Sequence, residues 1–173
     1  MTWGKLLQPD LVLDGPILDL TPELVQKHDL GGLVLDVDET LVPIYTNEIS
    51  DELRHCIDRL RDVATLWLVS NNLSETRIST IAAALNLPYL ISAAKPSRRK
   101  LQQAVDAMNL PPNRIGMVGD RLFTDVLGGN RLGMFTILVE PMVDPGLAVR
   151  YYPIRTLEVW FSQVLGASLT PRE

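Results

Sequence analysis

Aromatic side chains and sulfur are scarce in this chain: three Trp, four Tyr, three Phe and a single cysteine among 173 residues. One cysteine excludes an internal disulfide and fits a reducing compartment. Cys56 falls beside Leu53, Ile57 and Leu60 at helical spacing, where a thiol fills the core rather than acting as a nucleophile. Positive charge is also in deficit, with 16 Lys plus Arg against 21 Asp plus Glu and a net charge of −5. That balance excludes a general phosphate-backbone binder, so nucleic acid is not the expected partner. No apolar run approaches the roughly 20 residues that cross a bilayer. Residues Met1 to Asp14 mix Trp3, Lys5, Gln8, Pro9 and Asp10 with leucines and lack a signal-peptide core, so a cytoplasmic protein is expected. Internal repeats and low-complexity tracts are absent.

What the chain does contain is an ordinary globular balance, 46% hydrophobic and 21% charged, over a length that predicts one domain spanning residues 1–173. After a punctuated start with a short helix from Thr21 to His28, apolar runs alternate with helical patterns. Strands are predicted at Leu33 onward, Thr65 to Val69, Tyr89 to Ile91, Ile115 to Val118 and Phe135 to Val139. Helices are predicted between them, at about Ser50 to Asp62, Ser74 to Leu85, Ser97 to Met108 and Leu122 to Leu132, with apolar residues spaced by three and four. This alternation predicts a three-layer α/β/α, Rossmann-like parallel sheet with right-handed crossovers.

The informative stretch is Leu33-Val34-Leu35-Asp36-Val37-Asp38-Glu39-Thr40-Leu41. If the strand continued, Asp36, Asp38 and Thr40 would share one face, because side chains repeat every two residues. Unpaired carboxylates are costly to bury, so both belong at the carboxyl end of the strand, facing a cation or an anionic ligand. Open α/β sheets bind ligands at that end. Other predicted strands end at Ser70-Asn71-Asn72, Lys95-Pro96 and Gly119-Asp120. A calcium loop starting at Asp36 is excluded, because Leu41 and Asn47 stand where it needs Gly and Glu. Taken singly, Ser70-Asn71-Asn72 reads as a helix cap and Gly119-Asp120 as a turn; four strand ends together point to an active site.

Asp36-Val37-Asp38-Glu39-Thr40, Ser70-Asn71-Asn72, Lys95-Pro96 and Gly119-Asp120-Arg121-Leu122-Phe123-Thr124-Asp125 resemble, in order, the four motifs of the haloacid dehalogenase (HAD) superfamily of phosphatases. Within it the segments are most similar to the YqeG group, related to phosphatidylglycerophosphate phosphatases of lipid synthesis. The resemblance covers about residues 30 to 140. It implies a phosphatase with Asp36 as nucleophile, forming an aspartyl-phosphate, and Asp38 as general acid and base. It further implies Mg²⁺ held by Asp36, Asp120 and the backbone carbonyl of Asp38. Ser70 and the N–H of Asn71 would bind the phosphoryl group, Lys95 would neutralise it, and Thr40 and Asp125 would support the site. Relatives often carry Asn at the position of Glu39. A non-enzymatic phosphate-binding scaffold is the contrasting reading, and loss of Asp36 or Asp38 would have marked it.

Many members of this superfamily carry a cap domain after the first or second motif. Here 34 positions separate Asp36 from Ser70 and 25 separate Ser70 from Lys95, each interval filled by a turn, a helix and a strand. The expectation is a capless, open site suited to a phosphate on something bulky: a lipid headgroup, a protein or a nucleic-acid end. The lipid, phosphatidylglycerophosphate, follows from the resemblance alone. Arg98, Arg99 and Lys100 read either as a solvated face or as a basic rim drawing phosphorylated substrate. Ile154, Leu157, Trp160, Phe161, Val164 and Leu165 form a stripe in a C-terminal helical extension of about residues 150–168. It reads as a helix packed on the core, with peripheral membrane contact as the alternative. The start Trp3-Gly4-Lys5-Leu6-Leu7 is a second segment able to touch a bilayer.

Overall fold

A computed structural model describes residues 3–142. Six parallel strands form one sheet in the order β1-β6-β5-β2-β3-β4: β1 (Leu11–Val12), β2 (Gly32–Leu35), β3 (Thr65–Val69), β4 (Tyr89–Leu90), β5 (Ile115–Gly119) and β6 (Phe135–Leu138). The helices are α1 (Trp3–Leu6), α2 (Pro22–Lys27), α3 (Asp51–Arg61), α4 (Glu75–Leu85), α5 (Arg98–Met108) and α6 (Leu127–Leu132). The five predicted strands are present. The sixth, β1, was not expected from the proline- and glycine-punctuated start.

Strand β2 explains the layering. It is buried along its whole length, and its side chains divide by the period-two rule. Leu33 and Leu35 join Leu53, Ile57, Ile78 and Ile81 of α3 and α4 on one face. Val34 joins Leu101, Ala104 and Val105 of α5 on the other. Each such fully buried aliphatic side chain stabilises the fold by about 1.5–3 kcal/mol. The helices start where serine and threonine stop them from running on. Thr21, Ser50, Ser74 and Ser97 accept hydrogen bonds from the first-turn N–H groups of Leu24, Leu53, Arg77 and Arg99, each cap contributing about 1 kcal/mol. Asn86, Asn109 and Gly133, in left-handed conformation, end α4, α5 and α6.

The N-terminal segment is tied to the far edge of the sheet. Asn130 donates to the carbonyls of Leu6 and Gln8, and Asp10 accepts from both the N–H and the hydroxyl of Thr136. Leu7 is fully buried against Leu122, Val126, Leu127 and Leu138. Leu7 is thus part of the core, and Leu6 is partly buried against the same cluster. The stripe from Ile154 to Leu165 lies outside the described residues. Among those residues, no helix is long and apolar enough to cross a membrane. Cys56 is buried, as its spacing required.

The chain runs from β2 outward to β4, then returns to β5 on the other side of β2. The crevice at such a reversal, above the carboxyl ends of the two strands, is where open α/β sheets take their ligands.

Candidate active site

Asp36 follows β2 and Asp120 follows β5, so the two carboxylates face each other across that reversal. Both are buried, at 7% and 8% exposure. The strand does not continue through Asp38 and Thr40, however. It ends at Leu35, and the chain turns at Glu39, whose φ is +67°. Leu41 and Val42 donate back to the carbonyl of Val37, and Glu39 donates to that of Val42. The turn, not the pleat, returns the hydroxyl of Thr40 to Asp36 Oδ2 at 3.3 Å and Asp120 Oδ1 at 3.2 Å. Glu39 holds this turn: it is buried, its Oε1 accepts from the N–H of Ile44 at 2.8 Å, and its carbonyl accepts from that of Met142.

Lys95 is brought in by the loop after β4. Its backbone N–H donates to Asn71 Oδ1 at 2.7 Å, and its carbonyl accepts from Asn71 Nδ2 at 3.2 Å. The ammonium is buried, 2.5 Å from Asp36 Oδ1 and 2.7 Å from Asp125 Oδ1. Burial alone would lower its pKa, but Asp125 and Asp36 outweigh it and hold the ammonium above the ordinary lysine range.

The helix predicted from Leu122 to Leu132 begins instead as a π-helical turn, Leu122–Val126. Asp125 and Val126 both donate to the carbonyl of Arg121, and the wider turn swings Asp125 back over β5. Asp125 Oδ2 accepts from the N–H of Arg121 at 3.2 Å. Gly119 permits this approach, since a Cβ there would stand 2.3 Å from Asp125 Oδ2.

Among the described residues, the cluster able to hold a metal ion is Asp36, Asp120 and Asp125, each offering an oxygen within 4.8 Å of the others. The expected set took Asp36 and Asp120 with the backbone carbonyl of Asp38 and gave Asp125 a supporting place; the side-chain cluster brings Asp125 in beside the first two. The Asp38 carboxylate turns to Arg77, an ion pair at 2.9 Å, and to Asn72 Nδ2 at 2.9 Å. Ser70 Oγ lies 3.5 Å from Asp38 Oδ2 and accepts from the N–H of Asn72. Arg77 was not singled out by any motif.

Three buried carboxylates with one ammonium leave negative charge uncompensated. Burial raises Asp36 to about 6 against the opposing effect of Lys95, and Asp120 well above the ordinary carboxylate range, the neighbouring acids adding to both shifts. A hard divalent cation suits such an all-oxygen site, and Mg²⁺ binds through few carboxylates.

The mouth is open. A cleft of about 230 Å³ is lined by Asp36, Asp38, Ile44, Lys95, Arg121 and Thr124, among others. No inserted domain covers it among the described residues: α3 and β3 fill the interval from Asp36 to Ser70, α4 and β4 that from Ser70 to Lys95. Arg98 and Arg99 are exposed at the start of α5, just beyond Lys95. His28 stacks near Phe135, with ring centroids 4.6 Å apart, away from the site.

The comparisons place this parallel sheet, with acids and a lysine gathered beyond the carboxyl ends of its strands, in the HAD-like class of hydrolases. The HAD-hydrolase-like family model matches residues 92–143. "Probable phosphatase YqeG" of Bacillus subtilis (strain 168) is 32% identical over 140 residues, covering 81% of each chain. "Phosphatidylglycerophosphate phosphatase 1, chloroplastic/mitochondrial" of Arabidopsis thaliana is 27% identical over 129 residues; the match covers 69% of this chain but 37% of that one. The crystal structure of an uncharacterized protein from Listeria monocytogenes serotype 4b shares the fold, with a TM-score of 0.53 at 14% identity, over 74% of this chain and 99% of that one. The chain belongs to the YqeG family of HAD-superfamily phosphatases.

Proposed function

We propose that this phosphatase is Mg²⁺-dependent, works through an aspartyl-phosphate, and acts on phosphatidylglycerophosphate. The observation that carries the chemistry is the junction of Asp36, Asp120, Asp125 and Lys95 at the strand ends. Phosphate-monoester hydrolysis is among the slowest uncatalysed reactions, and a carboxylate nucleophile divides it into two displacements. An oxygen of Asp36 forms a bond to phosphorus as the ester P–O bond breaks, and Asp38 gives its proton to the departing oxygen. Asp38 then takes a proton from the water that attacks the aspartyl-phosphate, releasing inorganic phosphate and restoring Asp36. Lys95 neutralises the phosphoryl oxygens, and Ser70 and the N–H of Asn71 hydrogen-bond them. Asp36, Asp120 and the Asp38 carbonyl, with Asp125 alongside, would hold Mg²⁺, which would supply positive charge to offset that of the phosphoryl group.

The lipid substrate is supported by the mouth of the cleft. The large apolar side chains left exposed among the described residues are Ile44, Tyr45 and Leu73, at 48%, 53% and 79%. Ile44 lines the cleft and Leu73 follows Asn72. An open site with an apolar rim suits a phosphate whose remainder is hydrophobic, at a membrane surface reached peripherally. The plant relative bears the corresponding name.

The test is phosphate release from phosphatidylglycerophosphate in mixed micelles beside sugar phosphates and phosphopeptides. Preference for the lipid, loss of activity on chelation and inactivity of Asp36→Asn are expected. Preference for a soluble ester or a phosphopeptide overturns the substrate, and robust turnover by Asp36→Asn overturns the nucleophile.

A further inference from the structure

The setting of Asp38 depends on a side chain from a different element. Arg77, in the first turn of α4, places Nε 3.0 Å and Nη2 2.9 Å from Asp38 Oδ1. The same guanidinium holds the turn after Thr40: Nη2 is 3.0 Å from the carbonyl of Pro43, Nη1 is 2.5 Å from Asn47 Oδ1, and Nη1 also donates to the carbonyl of Thr46. The Arg77 side chain is 11% exposed and that of Asp38 18%. A surface ion pair between long, free side chains would do little. This one is largely enclosed, and its guanidinium is tied to four residues through three nitrogens, a set of bonds that lysine cannot reproduce.

The contacts also distinguish the two oxygens of Asp38. Arginine only donates hydrogen bonds, so a proton on Oδ1 would meet two N–H groups. Oδ2 has Asn72 Nδ2 at 2.9 Å and the Ser70 hydroxyl at 3.5 Å, and a hydroxyl can turn to accept. Oδ1 is thus taken up by the guanidinium, while Oδ2 faces Asn72 and the serine read as a phosphoryl ligand.

We propose that Arg77 is the positioning residue for proton transfer to the leaving group, holding Asp38 so that Oδ2 delivers the proton, and that it fixes the 43–47 turn at the cleft mouth with the same group. As the new Asp36–phosphorus bond forms, the ester P–O bond breaks with its electron pair on the departing oxygen. That oxygen takes the proton from Oδ2, and Oδ1 stays on the guanidinium throughout. This assignment rests on the reading of Asp38 as the acid.

Leaving-group dependence tests it. An alkoxide needs a proton to leave, whereas p-nitrophenolate leaves without one, so kcat/KM is compared for glycerol phosphate and p-nitrophenyl phosphate. Asp38→Asn and Arg77→Met are each expected to lower the alkyl-to-aryl ratio about tenfold or more. Arg77→Lys is expected to recover only part of it, and Asn47→Ala, which cuts a bond on the turn side alone, to keep it. Circular dichroism identifies a variant that fails to fold; should Arg77→Met do so, Arg77→Lys decides by the same ratio. If Arg77→Met loses both activities equally while Asp38→Asn shifts the ratio, Arg77 is structural, and the acid assignment stands. If neither shifts the ratio, both assignments fall.

Discussion

The ammonium of Lys95 lies 2.5 Å from Asp36 Oδ1, with both groups buried. The residue read as nucleophile is thus held by a cation that also faces Asp125. Removing one partner of a buried pair leaves an uncompensated charge, at a cost of about 3–5 kcal/mol. Lys95→Met is therefore expected to lower stability by about 3 kcal/mol in denaturant unfolding. It should also reduce phosphate release at least about a hundredfold. Wild-type activity in that variant would remove Lys95 from the phosphoryl site.

Stability should depend on pH and Mg²⁺ together. Burial raises Asp36 to about 6, against about 3.9 in an unfolded chain. Between these values the unfolded chain has released a proton that the folded one keeps. This group's contribution therefore falls as pH rises through the window. A cation that needs ionised carboxylates offsets the loss only once they are ionised. Thermal melts are expected to show a larger Mg²⁺-induced rise in Tm at about pH 7.5 than at about pH 5. Equal rises would place the ion elsewhere.

Gly119→Ala tests the close approach of Asp125. The added Cβ would stand 2.3 Å from Asp125 Oδ2 and 2.4 Å from its Cγ, so the carboxylate must move. Overpacking of this kind costs about 1–3 kcal/mol. Phosphate release should fall by roughly tenfold or more, because a small misplacement at a reacting centre is costly. Calorimetric titration should show weaker Mg²⁺ binding; unchanged binding would separate Asp125 from the ion.

The apolar mouth can be tested without touching the acids. Tyr45→Ser combined with Leu73→Ser removes the two most exposed large apolar side chains among the described residues. Burying such groups against lipid is worth on the order of 1–2 kcal/mol each. The ratio of micellar lipid turnover to soluble ester turnover should drop about fivefold or more. An unchanged ratio would mean that the rim does not meet the lipid.

Much of this architecture is legible in the sequence, because strands β2 to β6 and helices α2 to α5 carry local signals. Ser50, Ser74 and Ser97 stand at the helix starts, and Pro111-Pro112 follows the end of α5. Strand β1 carried no such signal. Its two residues form a strand only because Ile137 and Leu138 lie beside them. Asp36, Thr40, Lys95 and Asp120 come together as the motifs implied, but by a turn at Glu39 rather than by strand pleating. Arg77 lies 39 positions from Asp38, and their contact follows from the meeting of the first turn of α4 with the turn after β2, which no periodicity records. Asp125 was named as a supporting residue, but the widened helical turn that carries it into the acidic cluster is concealed by an ordinary helical pattern.

The pairing of β1 with β6 has a consequence for how the protein is made. Ile137, the partner of Leu11, is added to the chain 126 residues after it. At about 5–20 residues per second, the nascent edge strand waits roughly 6–25 seconds for its neighbour. The sheet around β2, β3 and β4 can assemble in that interval, so the N-terminal edge is the last part of the sheet to be sealed.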